Sequence, residues 1–287
     1  MADGFSLIKI NDLSKPATVL IEKISDAVGG YFKPFQIRRV AKAEAEAEII
    51  KEQAQIEITD LHRRALIRFV TEEAKKQNNI ESITEKAIPQ LNDSSNPQGM
   101  EDDWITNFFD KCRIVSDEEM QVLWAKVLAG EANSPGSYSK RTVNSLGSLD
   151  KGDAQLFTKL CSFVCSIDIP TPLIFDENAS IYNDQQINFS TLTHLDDIGL
   201  ISFNTVSGIK RVGFQKETYI SYYDTTLKAE FTNPDNNELG VGKVIFTNIG
   251  EELARICSSE SIDGFLNYAI DKWNTKGIVV TLLDPSI

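Results

Sequence analysis

The sequence predicts an α+β protein with a long, coiled-coil-like N-terminal helix, a helical middle and a C-terminal winged-helix-like module. Three observations lead to this prediction. No glycine or proline stands between Pro34 and Pro89, apolar residues at helical spacing fill residues 101–167, and short strand-like runs follow Pro170 and Pro172. We therefore divide the chain into five segments: 1–34, 35–91, 92–100, 101–167 and 168–287.

The first segment predicts an amphipathic helix followed by an elbow that is both aromatic and basic. Pro16 suits a first helical turn, and Gly29-Gly30 interrupts the apolar face. Basic and aromatic residues beside such a helix are typical of membrane interfaces, so the elbow is a candidate contact for a membrane or an anionic partner. The alternative is a helix packed on its own domain or on a sister subunit. The elbow residues are Tyr31, Phe32, Lys33, Phe35, Arg38 and Arg39.

Residues 36 to about 76 predict one long helix, a rod of roughly 60 Å at 1.5 Å per residue. Apolar residues recur along it with an eleven-residue repeat, which predicts a straight or slightly right-handed assembly. We expect this stripe to form the seam of a homo-oligomer. The alternative is a solvated helix that packs along its own domain. The seam residues are Ala47, Ile50, Ala54, Ile58, Leu61 and Ala65.

The helical middle predicts several short helices with recognisable ends. Residues 80–91 predict a further short helix, and the polar residues 92–99 predict a linker and a domain boundary. Residues 116–119 predict a capping box opened by Ser116, with a helix that continues to Gly130. Ser139 begins another helix, and Asp150 or Ser148 caps the one after it.

The last segment predicts strands mixed with short helices. A helix closed by Gly199 and followed by a strand resembles half of a winged helix, but the helix carries Asp196 and Asp197 where a DNA-reading helix needs basic residues. We therefore expect protein contacts there. Helices are predicted over 248–257 and 262–273, and strands over 173–175, 187–189, 200–203, 210–214, 218–223, 228–231, 244–246 and 278–283.

The charge distribution argues against nucleic-acid binding by the C-terminal part. The formal net charge is −13. Residues 1–90 contain 14 basic and 14 acidic residues, so the whole net charge falls on residues 91–287. Such a surface repels phosphate backbones. With no long apolar run and no signal-peptide pattern, we expect a cytoplasmic protein, with membrane association left open.

No catalytic residue, metal site or cofactor is predicted. Residues 137–140 match the S-x-x-K pattern, but its companion motifs are absent. Cys161 and Cys165 fit two buried residues on one face of a helix, and only two histidines, His62 and His194, are available as further metal ligands. The acidic runs 101–103 and 117–119 suit the first turns of helices. We expect a protein that is not an enzyme.

Three stretches resemble a bacterial family classed only as a domain of unknown function: KPFQIRRVAKAEAEA at 33–47, VSDEEMQVLWAKVLAGE at 115–131 and PGSYSKRT at 135–142. This resemblance implies no catalytic residues. The order of parts is also similar, more remotely, to the abortive-infection alpha proteins of phage defence, through an LDKGDA helix start at 149–154 and a Gly-Leu-Ile turn at 199–201. That likeness implies a defence role by analogy.

Together these observations predict a non-enzymatic, self-associating bacterial protein with an unknown protein partner, and a component of antiphage defence by resemblance. The alternative is a nucleic-acid-linked regulator that uses the winged-helix-like module. Its basic surface would be Arg38, Arg39, Arg63, Arg64 and Arg68.

Overall fold

A computed structural model describes residues 13–28 and 59–283. The chain divides into two compact units, Met1–Gly147 and Ser148–Ile287. The fold is α+β, as predicted, because the described part of the first unit is helical and the second mixes helices with antiparallel strands.

The N-terminal unit is built from helices. They are α1 (Lys15–Val28), α2 (Asp60–Ala87), α3 (Asp102–Cys112), α4 (Glu118–Asn133) and α5 (Lys140–Leu146), with short 3₁₀ turns at Ile88–Gln90 and Pro97–Gly99. α2 packs against α4, and α3 packs against both α1 and α5. At the centre, Phe108 stacks on Trp104 and meets Trp124 edge to face, each with ring centroids 5.1 Å apart. These rings are almost fully buried and form the apolar core of the unit.

α2 runs through the place where the sequence predicts a break. The predicted helix runs unbroken from residue 36 to near Lys76, and a second begins at Ile80, but one helix spans Asp60–Ala87. The prediction is also wrong at Thr59, which has an extended backbone and caps the start of α2, so the helix does not continue through this residue. Polar residues at 77–79 suggest an interruption, yet the buried Asn79 side chain donates to the Arg113 carbonyl at 2.8 Å. Its amide therefore serves a tertiary contact instead of competing with the helix backbone.

Residues 92–100, predicted as a linker, lie against the end of α4 inside the N-terminal unit. The Asn96 amide donates to the Ala132 carbonyl, and the Asn92 amide donates to the Asn133 side chain, both at 2.9 Å. The polar composition of this segment thus supplies hydrogen bonds to a helix terminus.

Two predicted helix ends in this unit differ from the structure. Asp117, and not Ser116, caps α4, since its carboxylate accepts from the Glu119 and Met120 amides at 3.0 Å. α4 also continues past Gly130 to Asn133. A Cβ atom at Gly130 would lie 2.6 Å from the Tyr138 ring, so this glycine permits close packing and does not end the helix. The predicted caps Ser139 and Asp150 are confirmed.

The C-terminal unit combines short helices with antiparallel strands. The helices are α6 (Lys151–Cys161), α7 (Ser180–Asn183), α8 (Phe189–Asp197), α9 (Asn248–Ala254) and α10 (Phe265–Asn274). The strands are β1 (Val164–Ile167), β2 (Ile169–Pro172), β3 (Ile201–Phe203), β4 (Ile209–Phe214), β5 (Glu217–Tyr222), β6 (Thr225–Glu230), β7 (Asn237–Gly242), β8 (Val244–Phe246) and β9 (Val279–Leu282).

The strands form three antiparallel groups: a five-stranded sheet in the order β2-β1-β5-β6-β9, the pair β3-β8 and the pair β4-β7. The predicted strands at 173–175 and 187–189 are wrong; the first contributes only an isolated bridge from Ile174 to Gly242. β1, β2 and β7 are missing from the prediction. The predicted strands begin after Pro170 and Pro172, but both prolines lie within β2, which is an edge strand, where proline is tolerated.

Aromatic rings form the core of the C-terminal unit. Phe163 contacts Tyr182 and Phe265 edge to face, with ring centroids 4.9 and 5.0 Å apart. The Tyr182 hydroxyl donates to the Leu173 carbonyl at 2.7 Å, so its buried polar atom is satisfied. Trp273 likewise donates to the Gly240 carbonyl at 2.8 Å. This core holds α7 and α10 in place beside the strands.

Candidate functional site

The first candidate site is the N-terminal part of α2, residues 60–78, which we call the exposed segment. No side chain in it is buried. Three of its large apolar residues are more than half exposed: Leu61 at 65%, Ile67 at 51% and Phe69 at 61%. Leu61, Ala65 and Phe69 recur every four residues and form a stripe on one face of the helix, whereas Ile67 lies on the opposite face. Exposed apolar side chains grouped in such a stripe mark a site of interaction in soluble proteins.

The rest of α2, residues 79–87, is the anchored segment and packs against α4. Its side chains Ile80, Ile83 and Ala87 are buried. Gln121 of α4 strengthens this contact, because its side-chain oxygen accepts from Ser82 at 2.9 Å and from Lys86 at 3.0 Å.

One helical face connects the two segments. Phe69 precedes Ile80 by eleven residues, and Leu61 precedes Ile83 by twenty-two. Eleven residues make three helical turns, so these positions lie in line. The eleven-residue repeat seen in the sequence therefore continues into residues that the protein buries in its own core. The exposed apolar stripe lies on the same face of α2 that packs on α4.

The exposed segment supports itself through contacts along its own surface. Arg63 pairs with Asp60 at 3.2 Å, and Lys76 pairs with Glu73 at 2.6 Å. Such pairs, three or four residues apart, give a helix modest help. The Thr59 hydroxyl caps the helix by accepting from the His62 amide at 3.4 Å. The segment is thus a solvated helix that presents an apolar stripe.

The structure locates only part of the predicted seam and none of the elbow. Leu61 and Ala65 are exposed on α2. The other seam residues, Ala47, Ile50, Ala54 and Ile58, lie outside the described residues, as do Tyr31, Phe32, Lys33, Phe35, Arg38 and Arg39.

A second candidate site is a polar cavity of about 710 Å³ in the C-terminal unit. Hydroxyl and carboxylate groups from α6, from α7 with the residues after it, and from residues 258–263 form most of its wall. A smaller cavity of about 280 Å³ shares Ser259 with it. The larger cavity includes Lys159, Ser162, Asp184, Ser259, Glu260 and Asp263.

Two neighbouring tyrosines hold the 258–263 wall in place. The Tyr222 hydroxyl accepts from the Ile262 amide at 2.8 Å and donates to the Ser162 carbonyl at 2.7 Å. Burial raises the pKa of Tyr222 to about 12, although the hydrogen bond from Ile262 opposes the shift, so the hydroxyl stays protonated at neutral pH. Tyr223 donates to the Ser259 hydroxyl at 2.8 Å.

Tyr223 takes a backbone conformation that favours glycine. It occupies the two-residue turn between β5 and β6, where its φ is +48°. A bulky residue with positive φ is uncommon and carries strain, which is often stored at functional sites. The strained residue, Tyr223, is also the one whose hydroxyl donates to Ser259, and Ser259 lines both cavities.

The two histidines are used in structural contacts. His194 bonds Asp153 at 2.7 Å, and His62 contacts Thr59 at 3.0 Å. Partial burial of Asp153 raises its pKa, but the hydrogen bonds from His194 and the Asp150 amide outweigh this effect and lower it. In the described ranges, no group of three or more His, Cys, Asp or Glu residues is placed to hold a metal ion.

The cysteine prediction needs one correction. Cys161 and Cys165 are both buried, as predicted, but they do not share a helix. Cys161 ends α6, and Cys165 lies in β1, because the chain turns into a strand directly after Phe163.

The S-x-x-K match and the acidic runs have structural explanations. The Ser137 hydroxyl donates to the Ser134 carbonyl at 2.6 Å, and Lys140 pairs with Asp103 at 3.6 Å. Neither contact activates a nucleophile. Asp102 and Asp103 lie in the first turn of α3, and Glu118 and Glu119 in that of α4, as predicted.

Comparison with known proteins identifies the family. The sequence profile of DUF2806, described as protein of unknown function, matches residues 63–269. This chain belongs to that family. The match begins within the exposed segment and covers most of both units. No curated protein and no solved structure matches the chain. In the part of the chain that the structure describes, no helix is long and apolar enough to cross a membrane.

Sequence reasoning missed the polar cavity, although this part of the chain lies within the DUF2806 match. Its walls come from stretches about one hundred residues apart, which no local pattern connects. The available signals were the run Ser258-Ser259-Glu260-Ser261, which is rich in hydroxyl groups, and the pair Tyr222-Tyr223.

Proposed function

We propose that this protein is a non-enzymatic scaffold that self-associates through the exposed segment of α2. The observation that supports this most directly is the 61% exposure of Phe69 in line with the buried residue Ile80. The apolar face of α2 that packs on α4 continues along the exposed segment, where no described residue buries it. A second copy of the same segment is the occupant we propose.

Charge favours a second copy over a partner of strongly opposite charge. The exposed segment carries charges of both signs, with five basic and three acidic residues: Arg63, Arg64, Arg68, Lys75 and Lys76, and Asp60, Glu72 and Glu73. A surface of one sign would repel its own copy, whereas mixed charges let two identical helices place opposite signs together. Ala65 on the seam allows a close approach of the two backbones. The coiled-coil-like arrangement predicted from the sequence is part of this proposal.

The decisive experiment measures the mass of the full chain by light scattering across a range of concentrations. The wild type should exceed the monomer mass of 32.0 kDa. Phe69→Glu should return it to the monomer, because a carboxylate would be buried in the seam. Thr71→Glu is the matched control, since Thr71 is exposed on the opposite face of the same helix turn.

Two outcomes would overturn the proposal. One is a wild-type monomer at all concentrations, and the other is a Phe69→Glu protein that keeps the wild-type mass. Circular dichroism and thermal melting of both variants check that the two units stay folded.

We also propose that the C-terminal module serves protein contacts and does not read DNA. The order α8, Gly199, β3 and the β4–β7 pair supports a winged-helix-like interpretation. The exposed residues of α8 include Asp196 and Asp197, which would repel a phosphate backbone. DNA binding that weakens with salt and is lost on changing Arg63, Arg64 and Arg68 to Ala would favour the nucleic-acid alternative instead.

Membrane contact and antiphage defence stay predictions from the sequence. Flotation with anionic vesicles, comparing the full chain with a truncation that starts at Glu44, tests the first. Phage plating on cells with and without the protein tests the second. Retained plating efficiency would remove the defence role while leaving self-association intact.

A further inference from the structure

Cys161 and Cys257 lie close together beside the polar cavity. Cys161, the last residue of α6, lines the smaller cavity together with Ala254 and Ser259, which flank Cys257 in the chain. The Thr158 hydroxyl lies 3.9 Å from the same Cys257 sulfur. Thr158 and Cys161 are three residues apart, so they share the face of α6 on which Cys257 lies. No disulfide joins the two cysteines in this structure.

A small molecule can reach this pair through Cys257. Cys257 is partly exposed, and Cys161 lines the smaller cavity of about 280 Å³. The other two cysteines, Cys112 and Cys165, are completely buried. Cys112 and Cys165 therefore serve as internal controls, because a reagent that must reach the sulfur from solvent should leave them unchanged.

We propose that Cys161 and Cys257 are an oxidisable pair, which a peroxide converts to a disulfide. The peroxide first oxidises the Cys257 thiol to a sulfenic acid and releases water. The Cys161 sulfur then attacks the Cys257 sulfur, the S–S bond forms, and the sulfenic oxygen leaves as a second water. The two thiols lose two hydrogens in total, and the peroxide is reduced to two waters. A dithiol reductant reverses the reaction by exchange.

The order of the two steps follows from burial. Cys257 is the more accessible sulfur, so it meets the oxidant first. Burial and the neighbouring Cys257 raise the pKa of the Cys161 thiol, which makes Cys161 a poor first reactant. Held in contact with the sulfenic acid, it can act second because the reaction is then intramolecular.

The disulfide would join two walls of the larger cavity. Ser162 follows Cys161 and Ser258 follows Cys257, and both serines line that cavity. The bond would thus tie the end of α6 to the start of the 258–263 wall. Tyr222 already makes a non-covalent connection between these walls, so the oxidised form would keep the same arrangement with less freedom.

The test treats the reduced full-length protein with hydrogen peroxide, then alkylates the remaining thiols under denaturing conditions. Alkylated cysteines should fall from four to two per chain. Peptide mass spectrometry should find Cys161 linked to Cys257, with a mass loss of about 2 Da that dithiothreitol reverses.

Three variants sharpen the result. Cys257→Ser should abolish the link, while Cys165→Ser should keep it. Cys161→Ser should leave a Cys257 sulfenic acid that dimedone traps. Four alkylated thiols after treatment, overoxidation of Cys257 with Cys161 still reduced, or links only between chains would each overturn the proposal. These results do not depend on whether the exposed segment self-associates.

Discussion

The two segments of α2 share one helix and one apolar repeat but have different surroundings. Ile83 in the anchored segment is fully buried, whereas Phe69 in the exposed segment is 61% exposed. The period of the repeat is a local property of the sequence. Burial depends on what lies opposite, and for the anchored segment that is α4. The difference therefore separates residues that fold the chain from residues that remain available for contact.

The polar contacts differ in the same way. In the anchored segment, Asn79 and Ser82 bond to groups on or before α4 that are distant in sequence. In the exposed segment, Arg63 and Lys76 pair with acids on their own helix. Pairs within a helix support local structure, whereas bonds between elements fix the helix in the unit.

The largest expected loss of stability comes from a substitution in the anchored segment. Ile83→Ala should lower the free energy of unfolding by about 2 to 5 kcal/mol, because it leaves a cavity against α4. Ile67→Ala, a change of the same chemistry in the exposed segment, should stay within about 0.5 kcal/mol. Urea unfolding of the full chain measures both. Equal losses in the two variants would contradict the distinction between the segments.

A smaller effect is expected at Asn79, where the helix changes surroundings. Asn79→Ala removes the donor to the Arg113 carbonyl and to the Ser116 hydroxyl. Leaving these acceptors without a partner should cost about 1 to 3 kcal/mol. Lys75→Ala, one turn earlier and exposed, is the control and should change little. Similar unfolding midpoints for Asn79→Ala and the wild type would show that the hydrogen bonds of Asn79 add no stability to the anchored segment.

The sequence predicted the local features of helices better than it predicted the tertiary contacts that those helices make. The α+β class and the caps Ser139 and Asp150 follow from local patterns, and the structure confirms them. Of the eleven-residue repeat, only Leu61, Ala65 and Phe69 lie within the described residues, so the seam stays a prediction. The continuity of α2 through Asn79 was missed because an asparagine that favours turns can instead be held by a distant carbonyl. Gly130 was misread for a related reason, since the Tyr138 ring that requires it comes from a later loop.

The candidate sites were predictable to different degrees. The apolar stripe with Leu61 and Ala65 is visible in the spacing of one helix. The proximity of Cys161 to Cys257 depends on folding that brings α6 beside the end of α9, and no local spacing encodes it. A site made by one element can be read from its period, whereas a site made by several elements needs the fold.

The smallest effect on global unfolding is expected at Thr59, and it tests whether the exposed segment stands alone. Thr59→Ala removes the side chain that accepts from the His62 amide. Loss of such a cap costs about 1 kcal/mol, which should speed hydrogen exchange of the first amides of α2 about fivefold. The amides of the anchored segment should exchange at the wild-type rate, because α4 holds them independently. Faster exchange throughout residues 79–87 would mean that the two segments open together. If the exposed segment self-associates, dilution should reproduce the effect of Thr59→Ala in its first turns, since the second copy no longer covers them.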